Sequence, residues 1–95
     1  MRKWNELEFE WDEEKAAANW KKHGVDFRDA VRVFSDPFRK ELYDAAHSDG
    51  YEDRYNTIGM VRDILFVVCT ERGERVRVIS ARKATPKERR WYRDS

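Results

Sequence analysis

The alternation of apolar and polar positions predicts that the chain is organised around one β-hairpin near its C-terminal end. Residues 64–70 form an unbroken apolar run that is typical of a central strand covered on both faces. A short turn containing Gly73 follows. Beyond the turn, apolar and basic side chains alternate, namely Val76 and Val78 against Arg75 and Arg77. The hairpin therefore lays a row of arginines along one side of a sheet whose other side is core.

The N-terminal part of the chain predicts a short strand followed by two helices. Residues 7–11 alternate with the period of a strand. Asp12 and Asp26 are expected to be the N-caps of the helices, and Gly24 is expected to end the first. The spacing of Ala16, Ala17 and Trp20 predicts a buried stripe on the first helix. The second helix is predicted from apolar residues spaced i, i+3, i+4 and i+7, which are Phe27, Ala30, Val31 and Phe34.

The remaining segments predict two further strands, a loop and a final helix. Strands are expected over residues 38–44 and 54–61, joined by a polar loop over 45–53. Gly59, inside a strand, indicates a bulge or a close backbone approach. Thr85 and Glu88 have the spacing of a capping box, with Pro86 at the first helical position. The pattern predicts one α+β domain over residues 1–95: an antiparallel, twisted sheet with two N-terminal helices and a short C-terminal helix, packed mainly on one face.

The charge distribution adds a basic C-terminal half to this picture. The net charge is only +1, but residues 1–50 carry 9 basic against 12 acidic side chains, and residues 51–95 carry 11 against 7. A basic face favours a polyanionic ligand or an acidic protein partner. The single cysteine, Cys69, excludes an internal disulfide and is expected to be a buried, inert thiol. With no apolar run long enough to span a membrane, the sequence predicts a cytoplasmic protein with no membrane partner.

Several phrases of the sequence resemble the BrnT toxin family in content and order. They are FEWDEEKAAANWKKHGVDFRDAVRVFSDP, DRYNTIG and LFVVCTERGERVRVISARKATPKERRWY, which together span residues 9–92. The resemblance implies a small endoribonuclease toxin of a type II toxin–antitoxin pair, with a RelE-like fold, that cleaves RNA without a metal or another cofactor. It also implies a BrnA-like antitoxin with a ribbon-helix-helix domain, through which alone the complex would contact operator DNA. One departure is Asp53, where the family usually has Glu; as a general base its reach would be shorter.

Metal-free RNA cleavage requires a base for the ribose 2′-hydroxyl, cations for the charged phosphorane and an acid for the leaving oxygen. Arg54 and Arg82 are the first candidates for the cations, because both lie on predicted strands and inside the resembling phrases. The alternative is an ordinary ion pair or a solvated strand face. A bulge near Ile79 would change the face on which Arg82 lies. A sequence-independent phosphate track is expected from further basic residues, namely Arg72, Arg75, Arg77 and Lys83.

The acid and base are less evident from the sequence. His23 is the first candidate, since histidine exchanges protons near neutral pH, although a structural role at a helix end is the alternative. His47, in the polar loop, is a weaker candidate. Tyr92 is expected either to donate a proton or stack on a base, or to dock beside Trp91. Two other functions stay open: a non-catalytic RNA-binding or co-repressor module, and an interaction domain with no nucleic-acid role.

Overall fold

The computed structural model describes residues 7–50 and 52–94, which form a five-stranded sheet and three helices. The elements follow the order predicted from the sequence. They are β1 (Glu8–Glu10), α1 (Glu13–His23), α2 (Phe27–Ala30), β2 (Lys40–Tyr43), β3 (Arg54–Met60), β4 (Ile64–Arg72), β5 (Arg75–Lys83) and α3 (Pro86–Arg93). The predicted second helix tightens into a 3₁₀ segment at Val31–Ser35, and the predicted loop contains a 3₁₀ turn at Ala45–His47. Tyr51, in that loop, lies outside the described residues.

The sheet is mixed, so the prediction of a purely antiparallel sheet is wrong. Its strand order is β1-β5-β4-β3-β2, and β1 pairs with β5 in parallel while every other pair is antiparallel. The alternation of residues 7–11 identified a strand, but alternation carries no information on direction. β1 occupies the free edge of β5 and runs parallel to it, and α1, which follows, packs against β5.

A β-bulge divides β5 into two parts. Val68 pairs with Ser80 while the next residue, Cys69, pairs with Val78, so Ile79 is the extra residue. Without the bulge, Arg82 would share a face with Val78. With it, Arg82 faces Phe66 and lies on the same side of the sheet as Arg77. The bulge that the sequence left open therefore brings Arg82 to the arginine side.

The helices pack on both faces of the sheet rather than mainly on one. The face covered by α1 and α2, here called the helix face, holds the main core, including Phe27, Val33 and Val67. α3 lies against the opposite face, where Tyr92 packs against the cluster of Ile58, Ile64 and Ala84. Hydrophobic periodicity predicted the helix but not which face it covers, because α3 has few apolar residues. It covers only one end of that face.

The predicted apolar stripe on α1 is wrong for Ala17 and Trp20, which are exposed, whereas Ala16 is partly buried against the main core. The residue that the helix buries most is polar. Trp20 is 60% exposed, whereas Asn19 is only 6% exposed. The Asn19 amide donates to the Val25 and Ala81 carbonyl oxygens, and its oxygen accepts from the Ala81 N–H. These bonds turn Asn19 toward the sheet, so Trp20, one residue further on, points away.

The local signals for helix ends and for Cys69 are confirmed. Asp12 and Asp26 cap α1 and α2, Gly24 ends α1 with φ +68°, and Thr85 and Glu88 form the capping box of α3. Cys69 is buried on the helix face, and burial together with the charge of Glu41 raises the pKa of its thiol to about 12. Within the described chain, no helix has the length and apolar character to cross a membrane.

Gly59 makes a close backbone approach, as one of its two predicted interpretations required. A Cβ at this position would lie 2.9 Å from the Val33 Cβ and 3.0 Å from the Val33 carbonyl oxygen. Because Val33 is fully buried and its carbonyl belongs to the 3₁₀ segment, neither atom can move freely. We expect Gly59→Ala to lower the free energy of unfolding by about 1–3 kcal/mol through overpacking. Chemical denaturation checks this. Gly50→Ala is the control, because a Cβ there meets no atom within 4 Å, and equal losses in both variants would contradict the argument.

Candidate functional site

The sheet face opposite α1 and α2 carries five arginines, and we call it the arginine face. Cross-strand partners share a face, so the pairing register defines its members. They are Arg54, Arg72, Arg75, Arg77 and Arg82. The row Arg54–Thr70–Arg77 crosses the open end of this face, and the row Ile58–Phe66–Arg82 crosses the end next to α3. The expected row of arginines on one side of the sheet is thus present.

Arg82 is held rigidly at the end of the face nearest α3. Its guanidinium lies 4.2 Å from the centroid of the Phe66 ring and forms a fork with Glu88, with Nη1–Oε1 and Nη2–Oε2 distances of 2.8 and 3.0 Å. Nη1 also donates to the Lys83 carbonyl oxygen. These three bonds leave two of the roughly five donors that a guanidinium offers, on its Nε/Nη2 edge. That edge can still take a phosphate in bidentate fashion.

Glu88 has two structural functions at once. It closes the capping box of α3 by accepting from the Thr85 N–H, and it fixes Arg82. The hydrogen bond from Arg82 outweighs the effect of burial and lowers the pKa of the Glu88 carboxyl. The same bond raises the pKa of Arg82, so both groups stay charged. The sequence predicted the cap but not the ion pair.

Arg54 and Arg77 flank Thr70 at the open end of the arginine face. Arg77 donates to Glu10 at 2.8 Å, and Arg54 makes a longer contact of 3.4 Å with Glu52. Thr70 is fully buried between them, and its hydroxyl oxygen has no hydrogen-bond partner within the part of the chain that the structure describes. Arg54 lies four strand positions and two strands away from Arg82, which is roughly 17 Å at strand spacings. Arg77 lies level with Arg54, two strands away, which is roughly 10 Å at the same spacings.

The predicted phosphate track is only partly assembled. Arg72 and Arg75 face each other at the hairpin end, and Arg75 contacts Glu8 at 3.3 Å. Lys83 instead pairs with Leu65, a core residue of the helix face, and its Nζ lies 3.8 Å from Asp63. Register thus separates Lys83 from the arginines.

Tyr92 is bound to a buried carboxylate. Its hydroxyl donates to Asp36, which is 8% exposed. Partial burial, and then the charge and hydrogen bond of Asp36, raise the pKa of Tyr92 to about 12. The ring packs on the cluster of Ile58, Ile64 and Ala84, so the docking role expected as one alternative is present. Trp91 beside it stays 41% exposed, with Lys40 Nζ 5.2 Å from its ring centroid.

His23 lies away from the arginine face. It is the last residue of α1, whose buried Asn19 packs against β5 on the helix face. Asp53, the other position singled out as a possible base, accepts a hydrogen bond from the Tyr43 hydroxyl at 3.0 Å. Neither residue is brought next to Arg82.

His47, a weaker candidate than His23 from the sequence alone, lies beside a carboxylate. His47 Nδ1 lies 2.8 Å from Asp44 Oδ2, and Asn56 lies near Asp44 on the same face of the sheet. Burial alone would raise the pKa of Asp44, but the hydrogen bonds and charge of His47, with a smaller contribution from Asn56, outweigh it and lower the pKa. No sequence motif links Asn56 to this pair. The one signal in the sequence was the D-x-x-H spacing of Asp44 and His47. Among the described residues, no group of three or more potential ligands is placed to hold a metal ion.

Comparisons with known proteins identify the family to which this chain belongs. A family model described as the ribonuclease toxin BrnT of type II toxin–antitoxin systems matches residues 11–88. The crystal structure of the Brucella abortus ribonuclease toxin BrnT is similar with a TM-score of 0.65 and 30% sequence identity, covering 83% of this chain and 97% of that one. No curated protein matches the chain. The matches place the protein among the toxins of type II toxin–antitoxin systems. Within them, the chain belongs to the BrnT family of ribonuclease toxins.

Proposed function

We propose that the protein is an endoribonuclease toxin that cleaves RNA on the arginine face without a metal ion. The observation that carries the proposal is the placement of Arg54, Arg77 and Arg82 on one partly open sheet face. Each is positioned by a carboxylate, at Glu52, Glu10 and Glu88 respectively. Arginine stays charged at any physiological pH and binds phosphate with a planar fork, so the face suits a polyanion.

Arginines on this face supply what a metal ion supplies in other nucleases. In the proposed reaction the ribose 2′-oxygen attacks the adjacent phosphorus, and negative charge accumulates on the phosphorane oxygens. Guanidinium groups placed at those oxygens lower the barrier electrostatically. Arg54 and Arg77 approach the same part of the sheet from β3 and β5, so they are the pair that would hold the scissile phosphate. Arg82 would then hold a phosphate further along the strand.

The remaining predicted roles belong to the same proposal. Arg72 and Arg75 extend the face toward the hairpin turn and would add sequence-independent phosphate contacts, whose contribution falls with salt. Tyr92 reaches Asp36 rather than open solvent, so a proton-donating role would require it to leave that bond. The catalytic role of His23 stays a prediction.

Family membership also supports a protein partner. We propose that a BrnA-like ribbon-helix-helix antitoxin neutralises the toxin in the cytoplasm and that the complex contacts operator DNA only through it. Co-expression with the short protein from the neighbouring reading frame is expected to give a complex that survives purification. Growth arrest on expression of the toxin alone should then be relieved. A toxin that arrests growth equally with and without that protein would contradict the partner.

RNA degradation in EDTA tests the nuclease directly. Arg54→Ala and Arg77→Ala are each expected to reduce kcat/KM by about 10²–10³-fold, as for the loss of one transition-state donor. Arg82→Ala is also expected to reduce kcat/KM and, in addition, to weaken RNA binding. Lys22→Ala is the control, since it removes a charge from an exposed position on α1.

The outcomes separate the nuclease from the alternative function. Cleavage by the wild type in EDTA, lost in the arginine variants with unchanged unfolding midpoints, supports the proposal. Intact RNA together with salt-dependent binding would favour a non-catalytic RNA-binding or co-repressor module. Cleavage that requires added metal would contradict metal independence.

A further inference from the structure

We propose that His47, held by Asp44, is the general base that takes the proton from the ribose 2′-hydroxyl. The inference rests on the proposed nuclease function and supplies the base that the reaction needs. Arginine cannot act as a base at neutral pH, because it does not lose its proton. The carboxylates on the face, Glu10, Glu52 and Glu88, are each paired with an arginine, so a base at the rim of the face fits better.

The hydrogen bond between His47 and Asp44 determines which imidazole nitrogen is available. Nδ1 lies 2.8 Å from Asp44 Oδ2. In the neutral ring Nδ1 therefore carries the hydrogen, and this N–H donates a hydrogen bond to the carboxylate. Nε2 is then the acceptor. The side chain is 66% exposed, so a substrate can reach it. This is the tautomer that a general base requires, and a carboxylate behind the ring stabilises the imidazolium that forms.

The chain around the pair is fixed by further hydrogen bonds. The Asp44 carboxylate caps the 3₁₀ turn by accepting from the His47 N–H, and the Ser48 hydroxyl donates to the Asp44 carbonyl oxygen at 2.7 Å. The Arg54 N–H in turn donates to the Ser48 hydroxyl at 2.9 Å. The turn that carries His47 is thus joined directly to the start of β3.

Asn56 lies beside the carboxylate on the sheet side. It is opposite Leu42 on β2 and Val68 on β4, on the arginine face, and it contributes to the lowered pKa of Asp44. Its Oδ1 is buried and without a hydrogen-bond partner among the described residues.

The dyad lies beside Arg54, one of the two arginines that would hold the scissile phosphate. The Asp44 N–H donates to the Arg54 carbonyl oxygen at 2.8 Å, continuing the pairing of β2 with β3 past Tyr43. Asp44 follows Leu42 by two residues and so lies on the same face of the sheet as Arg54. A phosphate bound by Arg54 therefore brings its neighbouring ribose toward His47, whereas His23 lies on the opposite side of the sheet.

The proposed step is a transesterification whose atoms balance without a co-reactant other than water. His47 Nε2 takes the 2′-hydroxyl proton, a bond forms between the 2′-oxygen and phosphorus, and the bond from phosphorus to the 5′-oxygen breaks. The 5′-oxygen takes a proton from water, and His47 returns its proton to the resulting hydroxide. The products are a 2′,3′-cyclic phosphate and a 5′-hydroxyl, with no net uptake of protons.

Single-turnover cleavage of a short RNA by His47→Ala tests the inference. We expect kcat to fall about 10²–10⁴-fold with KM little changed, since the ring contacts the reacting oxygen and not the phosphates. Added imidazole should restore part of the rate in His47→Ala but not in Arg54→Ala. Asp44→Asn is expected to lower kcat less than His47→Ala does. Added imidazole should not raise its rate, because the His47 ring is still present in this variant.

Three outcomes decide between the possibilities. A wild-type protein that does not cleave RNA contradicts the proposed function itself. A wild-type protein that cleaves, with His47→Ala equally active, overturns the inference and leaves the nuclease intact; a rate loss in His23→Ala alone would then assign the base to His23. A rate loss in His47→Ala without imidazole rescue, accompanied by a lower unfolding midpoint, would reduce the residue to a structural cap and overturn the inference as well.

Discussion

Asp36→Ala is expected to lower the free energy of unfolding by about 3–5 kcal/mol, because it leaves three partly buried donors without their acceptor. The Asp36 carboxylate accepts from the Phe38 and Met60 N–H groups, both at 2.8 Å, and from the Tyr92 hydroxyl. It thereby joins the end of the 3₁₀ segment to β3 and to α3. For a domain of this size the loss is a large fraction of the total stability. Urea denaturation followed by tryptophan fluorescence measures it.

The same network predicts how stability depends on pH. Burial alone would raise the pKa of Asp36, but the hydrogen bonds from Tyr92, Met60 and Phe38 outweigh it and lower the pKa. A group whose pKa is lower in the folded protein stabilises the fold above its unfolded value, about 3.9, and loses that contribution as the pH falls through the folded value. The stability difference between wild type and Asp36→Asn should therefore be greatest near neutrality and shrink below pH ~4.

Two matched variants isolate this effect. Asp29→Asn removes a carboxylate of an exposed pair with Arg62 and is expected to cost less than about 1 kcal/mol. Tyr92→Phe removes only one of the three donors and should cost less than Asp36→Ala. If Asp36→Ala and Asp29→Asn lost the same stability, the buried network would not be what holds α3 in place.

Local sequence signals predicted the helices and strands of this fold well. They predicted poorly the features that depend on residues far apart in the chain. Helix caps at Asp12, Asp26 and Thr85 depend on neighbouring residues alone, so the sequence was sufficient for them. The direction of β1 and the face covered by α3 depend on which sheet edge or face is free, and the sequence does not encode that locally. Trp20 was misplaced because hydrophobicity was expected to decide burial, whereas Asn19 has three specific partners.

The arginines and the histidine of the candidate site differ in the same way. Alternation along β5 was sufficient to put Arg75 and Arg77 on one face, but the bulge at Ile79 decided the side of Arg82. His47 lies in a polar loop, where sequence periodicity gives no information. The carboxylate behind the ring comes from Asp44, three residues earlier in the same 3₁₀ turn. The pairing of β2 with β3 decides only that this turn lies beside Arg54.

Asn19 explains in physical terms why α1 places an amide, and not an apolar residue, against β5. Asn19→Ala would leave the Val25 carbonyl and both backbone groups of Ala81 unpaired, with an expected loss of about 3–5 kcal/mol in the free energy of unfolding. The neighbouring variant Trp20→Ala is the control. Because Trp20 is mostly exposed, it is expected to lose less than about 1 kcal/mol.

Asn19→Asp provides the sharper test, because it keeps the shape of the side chain and replaces only the NH2 donor by an oxygen. A carboxylate there faces two carbonyl oxygens that the amide satisfied, so its charged form is strongly disfavoured and its pKa in the folded protein should rise above the unfolded value. A raised pKa means that the folded variant binds more protons than the unfolded variant does. Its stability should therefore recover as the pH falls toward the pKa of the carboxyl in the unfolded chain. Denaturation of Asn19→Asp at pH 7 and pH 5 should show the variant gaining on Asn19→Ala at the lower pH. Equal behaviour of the two variants at both pH values would mean that water, rather than Asn19, satisfies the Ala81 backbone.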